Sequence, residues 1–197
     1  MSAIDFTADG QYIYMALEST FPIVVKSSRD IPGTGMAVYN PGAGTACNIA
    51  KSPGNADKMF FYGNFGTDIV LISHIVSTGV NTDISPASLG AKEVNVLAVN
   101  PSDENEIVIG VGTDQDLLYT SDGGSNWSAW DSALGFDPTA LWLLWSGLYI
   151  DHRYFVAGDN LTNLDLLYSP NEGVSDANVE GTSLDAETNI VSLEATE

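Results

Sequence analysis

Positive charge is scarce in this sequence. Among 197 residues, six lysines and arginines stand against 26 aspartates and glutamates, for a formal charge of −20. The six are Lys26, Arg29, Lys51, Lys58, Lys92 and Arg153. So acidic a surface repels phosphate backbones, which excludes nucleic-acid binding through a basic groove. It also argues against docking on anionic membranes. Cysteine occurs once, as Cys47, so no intramolecular disulfide can form. Its apolar-flanked run, "TACNIA", reads as the setting of a small buried hydrophobe. No apolar stretch approaches the ~20 residues that span a bilayer, so membrane insertion is not expected. The opening "MSAIDFTADG" has no basic region followed by an apolar one and does not read as a secretory signal. Export by another route, or removal of a signal, stays open. Low-complexity segments, an obvious linker and long 3.6-period runs with helix caps are all lacking.

What is present is a repeat. Residues 46–73, "ACNIAKSPGNADKMFFYGNFGTDIVLIS", lie without a gap on residues 94–121, "VNVLAVNPSDENEIVIGVGTDQDLLYTS", after a slide of 48 positions. Pro53 meets Pro101, Asp68 meets Asp116 and Ser73 meets Ser121; Ile49/Leu97, Met59/Ile107, Phe61/Ile109 and Ile69/Leu117 match as apolar pairs. A further slide of 47 to 49 puts "EIVIGVG" on "RYFVAGD" and "LLYTSDGG" on "LLYSPNEG". The start of the chain follows the same plan, and "NIVSLEAT" near the end resembles one more opening strand.

Each unit runs short apolar strand, polar turn, strongly apolar strand, turn, third strand, Gly/Asp turn and a weaker polar strand. Short strands at 8–12-residue spacing predict an all-β fold. Four strands in about 40–50 residues is the period of a β-propeller blade. The expected organisation is one propeller-like domain of four antiparallel blades, at about 1–45, 46–92, 93–138 and 139–186, with an extra strand in 187–197. Both ends read as innermost strands, residues 3–9 and 189–195. Three closures follow: a small irregular ring, a share of a longer propeller, or edges paired between subunits. Unpaired edges invite partners, so completion between chains is expected.

The turn "TSDGGSNW", Thr120 to Trp127, carries a resemblance. It is similar to the Asp-box, Ser/Thr-x-Asp-x-Gly-x-Thr/Ser-Trp, of sialidases, sortilin-type receptors and photosystem II stability factors. Thr120, Asp122, Gly124 and Trp127 match, while Asn126 stands where Thr or Ser is usual. The resemblance implies a β-propeller with this turn between the third and fourth strands of a blade, in a structural role away from the ligand funnel. Chemistry agrees: an Asp carboxylate can accept backbone N–H groups two residues on, Gly takes positive φ, and a Trp can cover the hairpin. Ser169, Asn171 and Gly173 form a degenerate copy. The first unit, "SSRDIPGTG", keeps only Ser and Gly character, and the second, "SHIVSTG", has lost the Asp.

No catalytic residue is assigned. Sialidases hold the substrate carboxylate with three arginines, and this chain has only Arg29 and Arg153. "HRYF", from His152, reads as the edge of a blade's second strand. His74 and His152 are the only histidines, G-x-S-x-G does not occur, and a Cys47–His pair is possible only on paper. A glycosidase needs just two carboxylates, and 26 acids neither exclude nor support one. No metal or other cofactor is expected. Calcium in a loop is the one possibility, because Asp103, Asp114 and Asp116 lie in turns without EF-hand spacing. Gly-rich phosphate loops are absent. Trp142 and Trp145 in "ALWLLW" could stack a sugar but read better as the core of an innermost strand.

The function expected is therefore a non-enzymatic binding or structural scaffold, one that would suit a virion or an extracellular surface assembly. Its partner would be a protein, a glycan or further copies of itself in a homo-oligomer or larger assembly. The alternative is an Asp-box-class glycan-active hydrolase, a sialidase-like fold without the arginine triad. An assembly factor like the photosystem II stability factors also fits the motif.

Overall fold

A computed structural model describes residues 3–17, 23–30, 35–40, 46–66, 69–87, 93–111, 116–129, 140–146, 153–159, 164–169 and 177–178. Among these the chain is all-β, with four four-stranded antiparallel sheets. Each sheet is a meander whose strands neighbour one another in chain order. The first holds β1 (Ala3–Phe6), β2 (Tyr12–Leu17), β3 (Ile23–Ser28) and β4 (Met36–Tyr39). The second holds β5 (Ala46–Lys51), β6 (Lys58–Asn64), β7 (Leu71–Ile75) and β8 (Asn81–Asp83). The third holds β9 (Val94–Val99), β10 (Ile107–Val111), β11 (Asp116–Thr120) and β12 (Ser128–Ala129). The fourth holds β13 (Ala140–Ser146), β14 (Arg153–Asp159), β15 (Leu164–Ser169) and β16 (Ala177–Asn178). These sheets resemble propeller blades. The extra strand expected in 187–197 lies outside the described residues, as does the 189–195 segment.

The chain forms two compact units, 1–94 and 95–197. In the first unit the core lies between the first two sheets. Tyr14, Ala16 and Val24 come from the first; Cys47, Ile49, Met59, Phe61, Phe65, Ile72 and Val76 come from the second. Phe61 is the hub. Its ring centroid lies 6.0 Å from that of Tyr14, 5.9 Å from Tyr39 and 5.1 Å from His74. The strand grammar explains the burial. In β6 the run Lys58–Phe61 is buried on both faces, while the three residues of β8 are all exposed. In the second unit β10 is buried along its whole length and lies against β13.

The ladders correct one part of the repeat. A slide of 48 does superpose the first two strands of the second and third sheets, since Ser52 N bonds Lys58 O at 3.1 Å and Asn100 N bonds Glu106 O at 3.0 Å. The third strands do not follow it. Tyr62 pairs with Leu71, and its counterpart Gly110 pairs with Leu117, so Leu71 rather than Ile69 answers to Leu117. Likewise Ser73 pairs with Phe60 and does not answer to Ser121. The connection from β6 to β7 is two residues longer than that from β10 to β11. A shift of two keeps every side chain on its own face, so the apolar pattern alone could not reveal it. The third and fourth sheets share one register: Ile107 pairs with Thr120 as Tyr154 pairs with Ser169.

Phe61→Ala should destabilise the first unit by about 3–5 kcal/mol, because it empties the centre of an aromatic cluster. Ile4, 54% exposed on β1, is the control, and Ile4→Ala should stay within about 0.5 kcal/mol. Urea unfolding of both variants checks this.

Candidate functional site

The polar chemistry gathers at one end of each sheet, where the turn after the first strand meets the turn after the third. Three sheets build this end in the same way. Asp9, Asn55 and Asp103 each use Oδ1 to accept the backbone N–H two residues on, from Gln11 at 3.0 Å, Asp57 at 2.8 Å and Asn105 at 2.9 Å. Such Asx turns fix the chain just before the second strand. The three residues that donate these N–H groups then offer their carbonyls to the other turn. Gln11 O accepts from Arg29 N at 2.9 Å, Asp57 O from Val76 N at 2.9 Å, and Asn105 O from Gly123 N at 3.0 Å.

The Thr120–Trp127 turn is the third-sheet member of this set. Asp122 Oδ1 accepts from the Thr120 hydroxyl at 2.8 Å and from Asn126 N at 2.8 Å, and Oδ2 accepts from Asn126 Nδ2 at 2.6 Å. The sequence suggested N–H groups two residues on; the carboxylate instead reaches four residues on. The nearer amides, Gly124 and Asp122, donate to Thr120 Oγ1 at 3.1 and 3.3 Å. Asn126 thus supplies a second donor to Asp122 through its amide. These bonds, with the side chain and backbone of Asn126 foremost, hold the Asp122 carboxyl down to about 2. Gly123 and Gly124 have φ of 71° and 94°, and a Cβ on Gly123 would approach Asn105 Oδ1 to 3.1 Å. Trp127 is half-buried just before β12. Ser169 ends β15, while Asn171 and Gly173 lie outside the described residues.

The second sheet solves the same problem differently. Its turn has no Asp, but Asp57 from the facing turn takes over, accepting from Ser77 N and Ser77 Oγ, both at 2.7 Å. Sequence reading passed over this substitution because the compensating carboxylate is 20 residues away.

Beside these turns, between the first two sheets, lies a cleft of about 330 Å³. It is lined by Asp9, Gln11, Tyr12 and Lys26 from the first sheet and by Asp57 and Ser77 from the second, among others. Lys26 Nζ donates to Val76 O at 2.9 Å and sits 3.9 Å from the centroid of the Tyr12 ring. Burial pulls its ammonium below the usual lysine range, and the Asp57 charge partly offsets this. Asp9 is held below the usual carboxylate range, chiefly by the Thr7 hydroxyl, which donates at 2.6 Å.

Deeper in the same seam, Tyr14 Oη lies 3.2 Å from His74 Nε2, and His74 Nδ1 lies 2.7 Å from Asn81 Oδ1. Asn81 Nδ2 donates to Val38 O at 2.9 Å. With Asn81 accepting at Nδ1, the ring carries its proton there and Nε2 accepts from the tyrosine. Burial pushes His74 below its usual range. Cys47 is buried and its thiol is pushed up to about 12, so it is no nucleophile. Asp103 is engaged by Asn105, Asp116 opens β11, and Asp114 lies outside the described residues. Among the described residues no three His, Cys, Asp or Glu side chains are placed to hold a metal. Arg153 opens β14, and His152 is outside the described residues.

No family model matches the sequence, and no curated protein matches it. Solved structures do resemble the fold. A GH74 enzyme of Niastella koreensis matches 89% of this chain at a TM-score of 0.62 and 14% identity. A chain of a nidogen–laminin complex matches 85% at 0.57 and 13%. A Bacteroides thetaiotaomicron protein of unknown function matches 85% at 0.58 and 12%. This chain spans 24%, 60% and 40% of those chains, respectively. The neighbours are β-propeller proteins, and the likeness establishes a propeller-like fold for this chain. At such identity it carries nothing about activity, and the neighbours themselves include both an enzyme and a component of a binding complex.

The His74 network sets a pH dependence. Its folded pKa lies below its unfolded value, so the unfolded chain takes up the proton first as pH falls. Stability is full above about pH 6.5 and declines below it, with a slope of at most about 1.4 kcal/mol per pH unit from this one group. Denaturant midpoints between about pH 8 and 5.5 should show this decline, and His74→Gln should remove it. In the second unit, Asp122→Ala should speed amide exchange at Gly124 and Asn126 and leave the β10–β11 ladder protected. Hydrogen exchange read by NMR checks this.

Proposed function

We propose that this protein is a non-enzymatic β-propeller-like module that binds or scaffolds. The observation that carries this reading is the employment of reactive side chains among the described residues. Asp122, Asp57 and Asp9 close turns, His74 is hydrogen-bonded at both ring nitrogens inside the core, and Cys47 is buried. Catalysis by a general base or nucleophile needs such a group in reach of a substrate with its pKa near the working pH.

The Asp-box reading of Thr120–Trp127 belongs to this proposal. The hydrogen bonds of Thr120, Asp122 and Asn126 support a structural turn rather than a site. Self-association is supported by β1, an edge strand that presents Ile4 (54% exposed) and Phe6 (46% exposed). A role in a virion or extracellular surface assembly, with a protein or glycan partner, suits such a module. The glycan hydrolase reading has one favouring observation, that Asp9 and Asp57 line the same cleft. A glycosidase acid must hold its proton near neutral pH. Asp9, held below the usual range, is poorly suited to that task.

Light scattering at about 50 mM and 500 mM NaCl should show a discrete oligomer whose mass does not fall with salt, as apolar edge pairing requires. A 20.9 kDa monomer in both conditions would remove the self-assembling form of the proposal. Release of reducing ends from neutral polysaccharides, abolished by Asp57→Asn, would overturn the non-enzymatic reading itself.

A further inference from the structure

The cleft between the first two sheets has a composition that selects its ligand. Lys26 spends one N–H on the Val76 carbonyl and keeps two. Asp57 accepts one bond at each oxygen from Ser77, which leaves lone pairs on both. Asp9 uses Oδ1 for Thr7 and Gln11, which leaves Oδ2 to the cleft. Lys26 and Asp57 face one cavity but do not form an ion pair. Donors and acceptors of opposite sign therefore line one space of about 330 Å³, each held in place by a hydrogen bond. That is preorganisation: little side-chain freedom remains to be lost on binding.

A ligand anion would satisfy Lys26 but meet Asp9, Asp57 and a net charge of −20. A ligand cation would satisfy the carboxylates but meet the Lys26 ammonium. Adjacent hydroxyl groups suffer neither penalty, because each can accept from the ammonium and donate to a carboxylate. Tyr12 and Val76 add apolar wall for C–H groups. We propose that this cleft binds a neutral, hydroxyl-rich ligand, a single neutral sugar residue, either free or as part of a glycan. The proposal rests on the binding reading above and gives that reading a site and a ligand class.

The test is an amide-shift NMR titration of the full chain with glucose, galactose, mannose and N-acetylglucosamine, and with disaccharides built from them. Glucuronate, glucosamine and glycine serve as charged controls. At least one neutral sugar should give saturable shifts at Gln11, Tyr12, Ala56 and Ser77, with a dissociation constant on the order of millimolar. Tighter binding of the disaccharide than of its monosaccharide assigns the ligand to a glycan; equal binding assigns it to the free sugar. Lys26→Met and Asp57→Asn should each weaken binding on the order of tenfold. Because Lys26→Met also removes the bond to Val76, its sugar-free spectrum must match that of the native chain outside the cleft for the lost affinity to count.

Absence of saturable shifts with every neutral sugar, shifts confined to other surfaces, or preference for a charged control would overturn the proposal. Binding followed by cleavage of the disaccharide would keep the site and overturn the non-enzymatic reading. A salt-stable oligomer that binds no sugar would do the reverse.

Discussion

One backbone hydrogen bond organises the first three sheets, the one in which a residue just ahead of the second strand gives its carbonyl to the turn after the third. A four-stranded meander has two free edges, with two turns at one end and one at the other, and nothing in the ladders alone couples the two that share an end. The bonds from Arg29 to Gln11, from Val76 to Asp57 and from Gly123 to Asn105 supply that coupling. They also force an unusual demand on side chains. The donor turn must present an N–H inward, so its own remaining polar groups need another partner. Asp122 meets that need from within its turn, and Asp57 meets it from across. Two sequences that look unrelated are thus two answers to one constraint.

The same constraint places the cleft. Because Asp57 must face the turn that contains Ser77, its carboxylate stands at the border between the first two sheets. Lys26 reaches that border from β3 and bonds the carbonyl of Val76, the residue whose N–H already serves the clamp. A polar seam of this kind is compatible with a stable core only because the apolar packing around Phe61 lies directly beneath it. Tyr14, His74 and Asn81 form the transition, each buried polar atom meeting a partner before it meets hydrocarbon. Among the described residues Ser52 Oγ is the exception, buried without a hydrogen bond just after β5.

Much of the fold was legible in the sequence, because strand order in a meander follows chain order and the period of two is written in the apolar residues. The all-β class and the four-strand units came from that pattern. What escaped was the third-strand register, since a shift of two residues leaves the alternation of apolar positions unchanged. The Thr120–Trp127 turn could be found because its residues are contiguous. The Asp57–Ser77 turn and the Tyr14–His74–Asn81 chain could not, because their members are separated by 20 or 60 residues in two of the bonds and joined only by folding. One signal was available: "ADGQ", "GNADK" and "SDENE" each place Asp or Asn two residues before the clamp carbonyl. That spacing marks the Asx turn, and through it the end of the sheet where the polar groups collect.

The scarcity of cations takes on meaning at this point. Lys58 is 8% exposed with its ammonium 5.5 Å from the Phe60 ring centroid, and Lys26 is committed to Val76 and Tyr12. Arg29, by contrast, has an exposed side chain that meets the neighbouring Asp30 at 3.6 Å, a contact worth little in water. Lys58 is therefore an internal fitting, while Lys26 keeps donors for the cleft. A negative field screens out anions at a distance, whereas the cleft, with its ammonium set among carboxylates, discriminates at contact. Selection by sign occurs first and selection by hydrogen-bond pattern second, and a neutral polyol is the class of ligand that passes both.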